Sequence, residues 1–84
     1  MGTTIEEQTT RTLENIKEML KAAGASLDDV VKATVYLSDY RLFERYNKVY
    51  KGYFSDPKPT RITCGVQLLE GFLIEIEVVA YTGK

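Results

Sequence analysis

The stretch Val30-Val31-Lys32-Ala33-Thr34-Val35-Tyr36-Leu37 decides the fold class of this chain. Apolar and polar residues alternate along it, and a period of two is typical of a strand with one buried and one polar face. The side chains expected to point inward are those of Val31, Ala33, Val35 and Leu37.

A helical pattern precedes this strand. Thr4 and Glu7 have the spacing of a capping box, apolar residues then recur at helical intervals, and Gly24 is suited to a left-handed stop. We therefore expect a helix at about residues 4–23. One further helical turn, capped by Ser26, is expected before the strand.

A second helical pattern follows the strand. Asp39 is expected to cap a helix at about residues 39–54, which ends before the segment Asp56-Pro57-Lys58-Pro59. Asn47 lies on its apolar stripe, and a polar amide there is either a hydrogen-bonded structural residue or a residue of a pocket rim. The aromatic residues of this helix are expected to serve core and interface packing.

The C-terminal third of the chain predicts a β-hairpin with a turn at Glu70-Gly71. Its apolar residues all have even numbers: Ile62, Cys64, Val66 and Leu68, then Ile74, Ile76, Val78 and Ala80. In an antiparallel hairpin buried on one face, these rows lie together. Arg61 and Thr63 would then share the opposite face with Glu75 and Glu77, away from the helices.

Together these elements predict an α+β fold, an α-β-α-β-β sandwich with three strands under two helices. The 84 residues are expected to form a single domain spanning 1–84. A core this small and a sheet with two open edges favour oligomerisation.

Composition excludes several classes of function. The net charge is −1, which disfavours binding to nucleic acid or to membrane surfaces. The absence of His excludes His-dependent triads and HExxH metal sites. Cys64 is the one cysteine, and we expect it to be buried and structural in a reduced, cytoplasmic protein without a metal site.

The polar face of the predicted sheet is either a solvated surface with cross-strand ion pairs or a pocket that binds a carboxylate. An arginine such as Arg61 can hold a carboxylate through two parallel hydrogen bonds. A neighbouring Glu75 could orient water or move a proton, and Thr63 adds a hydroxyl.

Several segments resemble the RidA family, also called YjgF/YER057c/UK114. The segments that carry the resemblance are Ile5-Glu6-Glu7-Gln8-Thr9, Leu13-Glu14-Asn15-Ile16, Ala23 to Lys32, Val35-Tyr36-Leu37-Ser38-Asp39, Phe43, Asn47, Tyr50, Phe54, Pro59-Thr60-Arg61-Ile62-Thr63 and Leu73-Ile74-Glu75-Ile76-Glu77. They cover nearly the whole chain.

The resemblance implies a chorismate-mutase-like fold and a homotrimer with ligand sites between subunits. It implies a deaminase that uses no cofactor and hydrolyses reactive 2-imino acids to 2-keto acids and ammonia. Arg61 would bind the substrate carboxylate, and Glu75, or alternatively Glu77, would position water. Thr63 and Asn47 would complete the substrate-binding residues.

The resemblance also implies that the N-terminal β-hairpin segment of the family is missing here, which makes this a truncated form of the fold. Two other functions therefore stay open. The first is a non-catalytic module that binds small carboxylates or partner proteins, and the second is a ribonuclease or translation inhibitor.

Overall fold

The computed structural model describes residues 3–56 and 58–82, and Pro57 of the predicted linker lies outside them. Two helices cover one face of a three-stranded sheet, which confirms the predicted α+β class and the α-β-α-β-β order. The elements are α1 (Ile5–Ala22), β1 (Val30–Leu37), α2 (Phe43–Tyr50), β2 (Thr60–Gly65) and β3 (Ile74–Ala80). No helix in the described ranges has both the length and the apolar composition needed to cross a membrane.

The ends of α1 follow the sequence pattern closely. The Thr4 hydroxyl accepts the Glu7 N–H at 3.1 Å, and the Glu7 carboxylate accepts the Thr4 N–H at 3.0 Å, which completes the predicted capping box. Gly24 has a φ of +81°, the left-handed conformation that stops the helix at low steric cost. A 3₁₀ turn at Leu27–Asp29 follows, with the Ser26 N–H donating to the Asp29 carboxylate.

Helix α2 is shorter than predicted. The Asp39 carboxylate accepts the N–H of Arg41, but the turn that begins there is a 3₁₀ turn at Tyr40–Leu42. The Asp39 carboxylate also binds the Arg41 side chain, which favours this tight local turn. After Tyr50 the backbone closes into single turns instead of continuing the helix.

The strand order is β2-β1-β3, so the predicted hairpin between β2 and β3 is wrong. Strand β1 lies in the centre, parallel to β2 and antiparallel to β3. The connection from β1 to β2 runs through α2, and a helical crossover of this kind joins parallel strands. The strand-helix-strand pattern in the sequence was the signal for this arrangement.

Because β2 pairs with β1 and not with β3, the side chains of β2 that face the helices are the opposite row from the predicted one. Neighbouring residues in a sheet share a face, and Arg61 and Thr63 stand beside Ala33 and Val35, which are buried under the helices. Arg61 and Thr63 therefore face the helices. The other row of β2 faces the opposite side, where Ile62 is 48% exposed.

Strand β3 keeps its predicted orientation. Ile74, aligned with Leu37, is buried under the helices, whereas Glu75 and Glu77 stand beside Tyr36 and Thr34 on the other side. We call this side, opposite the helices, the open face of the sheet. Arg61 and Glu75 thus lie on opposite faces, which corrects the expectation that they share one.

Two residues that were expected to be buried, Cys64 and Val31, are not. Cys64 stands beside Tyr36 on the open face and is half-buried, because its row faces away from the helices. Val31 is 50% exposed, since an irregularity between Val30 and Lys32 turns Val30 inward in its place. The buried core comprises Ile5, Leu13, Ile16, Val30, Ala33, Val35, Leu37, Tyr46, Tyr50, Phe54 and Ile74.

A buried glutamine joins α1 to the loop before β3. The Gln8 amide donates to the Gly71 carbonyl at 2.9 Å and accepts the Leu73 N–H at 2.8 Å. These bonds satisfy two backbone groups that the sheet ladder does not pair, so Gln8 fixes the start of β3 against α1.

Replacement of Gln8 with alanine is expected to lower the free energy of unfolding by about 1–3 kcal/mol, because both backbone groups lose their partner. Urea denaturation measures the change. Thr10→Ala, at an exposed position of the same helix, serves as the control and should shift stability by less than about 0.5 kcal/mol. Equal effects of the two variants would contradict this role of Gln8.

An ion pair also links the two helices. Arg45 binds Glu6 through Nε at 2.8 Å and Nη2 at 2.7 Å. The hydrogen bond from Arg45, with a smaller contribution from the backbone at the start of α1, lowers the pKa of Glu6 from 4.5 to about 2. The ionised form is therefore favoured in the folded state.

This lowered pKa predicts a defined pH dependence of stability. The contribution of Glu6 to the stability of the folded state is fully present above its usual pKa of 4.5 and is lost as the pH falls through about 2. Glu6→Gln should therefore be less stable than the unmodified chain at pH 7, with the difference closing toward pH 2. Thermal melts across this range measure it, and a difference that does not change with pH would refute the assignment.

Candidate functional site

Arg61 is the candidate ligand-binding side chain, and it lies between strand β2 and helix α2. Its register beside Ala33 directs it toward the helix layer, where it is half-buried. Its guanidinium carbon lies 4.6 Å from the ring centre of Tyr50, 5.4 Å from that of Phe43 and 5.8 Å from that of Tyr46. At these distances the ring faces attract the cation.

Asn47 completes this arrangement. Its side-chain oxygen accepts a hydrogen bond from Nη1 of Arg61. We call Arg61, Asn47, Phe43, Tyr46 and Tyr50 the arginine cluster. The amide on the apolar stripe of α2 is therefore hydrogen-bonded, and its partner is the candidate ligand-binding residue itself.

One edge of the Arg61 guanidinium has no protein acceptor within residues 3–56 and 58–82. Nη1 bonds to Asn47, whereas Nε and Nη2 make no hydrogen bond there. Arg41 and Arg45 use this same Nε–Nη2 edge to bind Asp39 and Glu6 through two hydrogen bonds. The corresponding edge of Arg61 can therefore take an external carboxylate.

Thr63 stands two residues further along β2 on the same face. Its hydroxyl and that of Tyr46 are 2.8 Å apart and share a hydrogen bond. This bond joins β2 to α2 beside the arginine cluster. The predicted site residues Arg61, Thr63 and Asn47 are thus brought together, with Thr63 and Asn47 already bonded to neighbours in the same chain.

Glu75 and Glu77 lie on the open face, away from this cluster. The Tyr36 hydroxyl donates to the Glu77 carboxylate at 3.4 Å, and the negative charge of Glu77 is the largest cause that raises the pKa of Tyr36. Glu75 makes no side-chain hydrogen bond in the described part of the chain. Of the two carboxylates it is the one more available to a ligand or a second chain.

The sequence does not predict the contact between Arg61 and the aromatic residues of α2. The recurrence of Phe43, Tyr46 and Tyr50 at helical intervals, shared by Asn47, is typical of residues that pack in a core or an interface. The helical spacing identified the stripe correctly. The missing information was the parallel pairing of β2 with β1, which places Arg61 beneath this stripe.

Other surface features offer less specific chemistry. A groove of about 500 Å³ lies at the C-terminal end of α1 and is lined by residues that include Lys17, Lys21, Asp28 and Tyr53. Two of these groups already have partners, because Ser55 donates to Asp28 and Tyr53 donates to Glu14. In the described residues no group of three or more His, Cys, Asp or Glu side chains could hold a metal ion.

The fold and the site define the class of protein. It is a small α+β domain with a half-buried arginine, Arg61, whose Nε–Nη2 edge has no protein acceptor in the described residues. The family model described as "Endoribonuclease L-PSP" matches residues 1–82. The chain belongs to this family, the RidA/YjgF family.

Relatives at the sequence level support this membership. The chain is 53% identical over 81 residues to a "RutC family protein" of Saccharolobus solfataricus, covering 95% of this chain and 64% of that protein. It is 44% identical over 80 residues to the "2-iminobutanoate/2-iminopropanoate deaminase" of Bos taurus, covering 94% of this chain and 58% of that protein. The chain thus spans less than two thirds of the length of these relatives.

The fold is also that of a solved structure. The crystal structure of RidA from an Antarctic Psychrobacter bacterium superimposes with a TM-score of 0.89 at 37% identity, covering 98% of this chain and 67% of that one. The predicted fold class is confirmed.

Proposed function

We propose that this protein is an enamine/imine deaminase that hydrolyses 2-imino acids to 2-keto acids and ammonia. The observation that carries the proposal is the Nε–Nη2 edge of the half-buried Arg61, which has no protein acceptor among the described residues and fits the carboxylate that all these substrates share. The name of the bovine relative, a 2-iminobutanoate/2-iminopropanoate deaminase, supports the same substrate class.

In this proposal Arg61 anchors the carboxylate, and Glu75 orients a water molecule for attack on the imine carbon. Water adds to the C=N bond, the C–N bond then breaks, and the products are a 2-keto acid and ammonia. The reaction balances with water alone, so no cofactor is required. Thr63 and Asn47 line the carboxylate end of the site, and correct placement of the reactants supplies much of the rate.

We further propose that each site forms between two chains of a homotrimer. Arg61 faces the helices and Glu75 lies on the open face, so one chain cannot direct both groups into one cleft. A second copy that brings its Glu75 next to Arg61 resolves this separation. The open sheet edges and the exposed Ile62 and Val79 are surfaces that such an assembly could cover.

The experiment generates 2-aminoacrylate in situ with a serine dehydratase and measures pyruvate formation with and without this protein. We expect release of the keto acid and ammonia well above the spontaneous rate. A native mass measurement of the same sample is expected to show a trimer. If the sample is trimeric and pyruvate still forms no faster than it does without the protein, the deaminase proposal is refuted.

The second candidate is a module that binds small carboxylates without turnover. The separation of Arg61 and Glu75 on opposite faces favours it if no second chain supplies the carboxylate. Calorimetry with 2-oxobutanoate separates the two functions, because binding without deamination supports the module. The "Endoribonuclease L-PSP" description of the family model leaves RNA cleavage as a third outcome, to be assayed with the same preparations.

A further inference from the structure

Three aromatic rings of α2 surround the Arg61 guanidinium, and Tyr50 is the nearest. Its ring centre lies 4.6 Å from the guanidinium carbon, and only 3% of the Tyr50 surface is exposed. A cation held against a ring from which water is excluded is bound more tightly than one at an exposed ring. Tyr46 is buried as well, but its ring centre is farther from the guanidinium carbon, at 5.8 Å, and Phe43 is 37% exposed. Tyr50 is therefore the ring that is both close to the cation and buried.

The hydroxyl group of Tyr50 does not explain this placement. It is buried and has no hydrogen-bond partner within the described residues, whereas buried tyrosine hydroxyls usually have one. Burial raises the pKa of the Tyr50 phenol, and the positive charge of Arg61 partly offsets the rise. The phenol stays neutral at physiological pH, so the contact with Arg61 is made by the ring face.

The remaining contacts restrict how the guanidinium can turn. Asn47 holds Nη1, and Phe43, which is 37% exposed, stands on the more open side of the cluster. A ring 4.6 Å from the guanidinium carbon and an acceptor at one nitrogen together limit the orientations that the guanidinium can take. The Nε–Nη2 edge is then the part left to bind a ligand.

We propose that Tyr50 is a positioning residue for Arg61: its ring face, with Asn47 at Nη1, holds the guanidinium plane so that the Nε–Nη2 edge meets the ligand carboxylate. This inference rests on the proposed function, because it assigns a role within the same carboxylate site. It places the ring electrons of Tyr50, and not its hydroxyl, in control of affinity for the carboxylate.

The test changes the ring electrons while keeping the ring shape. Position 50 is replaced by phenylalanine, 4-fluoro-, 3,5-difluoro- and 3,4,5-trifluorophenylalanine, because each fluorine weakens the negative potential of the ring face. Calorimetry then measures the Kd for 2-oxobutanoate. We expect the Kd to rise stepwise by roughly 3- to 30-fold from the phenylalanine variant to the trifluorinated one.

The matched control is the same substitution series at Phe54. This ring is buried and packs against Tyr50 at 4.8 Å between centroids, but it is not among the rings near Arg61. Fluorination of Phe54 should leave the Kd unchanged. A rise in Kd of the same size in both series would show that fluorination acts through core packing, and would contradict the role of the Tyr50 ring face. If the trifluorinated position-50 variant does not fold, the comparison ends at 3,5-difluorophenylalanine, and a Kd that does not rise between phenylalanine and that variant overturns the role.

The outcomes separate the inference from the proposal on which it rests. If the Kd for 2-oxobutanoate does not change across the series at position 50, while the separate variant Arg61→Ala loses binding, the positioning role is overturned and the carboxylate site stands. Wild-type binding of 2-oxobutanoate by Arg61→Ala overturns the proposed site itself. A stepwise series together with loss of binding in Arg61→Ala supports both.

Discussion

Replacement of Arg61 with alanine is expected to abolish 2-oxobutanoate binding and imine clearance. Removal of one partner from a partly buried, doubly hydrogen-bonded charge pair costs about 2–5 kcal/mol, or roughly 30- to several-thousand-fold in affinity. The loss should appear both in the calorimetric Kd and in the rate at which 2-aminoacrylate is converted to pyruvate.

Arg11→Ala is the control for this prediction. It removes the same charge from an exposed position on α1 and is expected to leave both measurements unchanged. Circular dichroism must show that the Arg61 variant keeps its fold, because Asn47 and the α2 rings lose a partner in it. Equal clearance by the Arg11 and Arg61 variants would remove Arg61 from the site.

Mixing two inactive variants is expected to restore activity. In a site that takes Arg61 from one chain and Glu75 from the next, Arg61→Ala and Glu75→Gln each destroy every site when expressed alone. Random trimers from equal co-expression should regain about a quarter of the wild-type sites, because each site needs the intact residue from both of its chains. The measurement is pyruvate formation per chain, with native mass spectrometry to verify mixed trimers.

The control pairs Arg61→Ala with the double variant Arg61→Ala/Glu75→Gln, a mixture in which no chain supplies the arginine and no intact site can form. A mixture of the two single variants that stays as inactive as this control would contradict a site between chains. Repeating the mixing experiment with Glu77→Gln in place of Glu75→Gln determines which carboxylate acts. The acting carboxylate is the one whose variant is inactive alone and restored by mixing.

Local patterns in the sequence predicted the local structure well. Thr4, Glu7 and Gly24 mark the ends of α1 as expected, because capping and a positive φ depend on residues within one turn. The alternation in Val30–Leu37 predicted its strand, with one error at Val31. Gly71 also adopts the expected turn conformation, although the turn does not join paired strands.

The assignment of site residues stays a prediction, and the structure changes its geometry. Arg61, Thr63 and Asn47 do lie together, but they meet on the helix side of the sheet. The prediction that Glu75 lies beside them depends on pairing between the consecutive strands β2 and β3, which the structure does not have. The crossover through α2 instead pairs β2 with β1, and this one change of partner turns the whole row of β2 to the other face.

The sequence by itself determined the order of the elements and the alternation within each strand, because these depend on neighbouring residues and on periods of 2 and 3.6. It did not determine which face of β2 is buried, because that depends on the strand with which β2 pairs. Only the tertiary structure decided which strands pair and what Arg61 touches. Strand pairing joins segments more than twenty residues apart and is chosen by how the whole core closes. That choice sets the guanidinium against the rings of α2 and leaves Glu75 on the open face of the sheet.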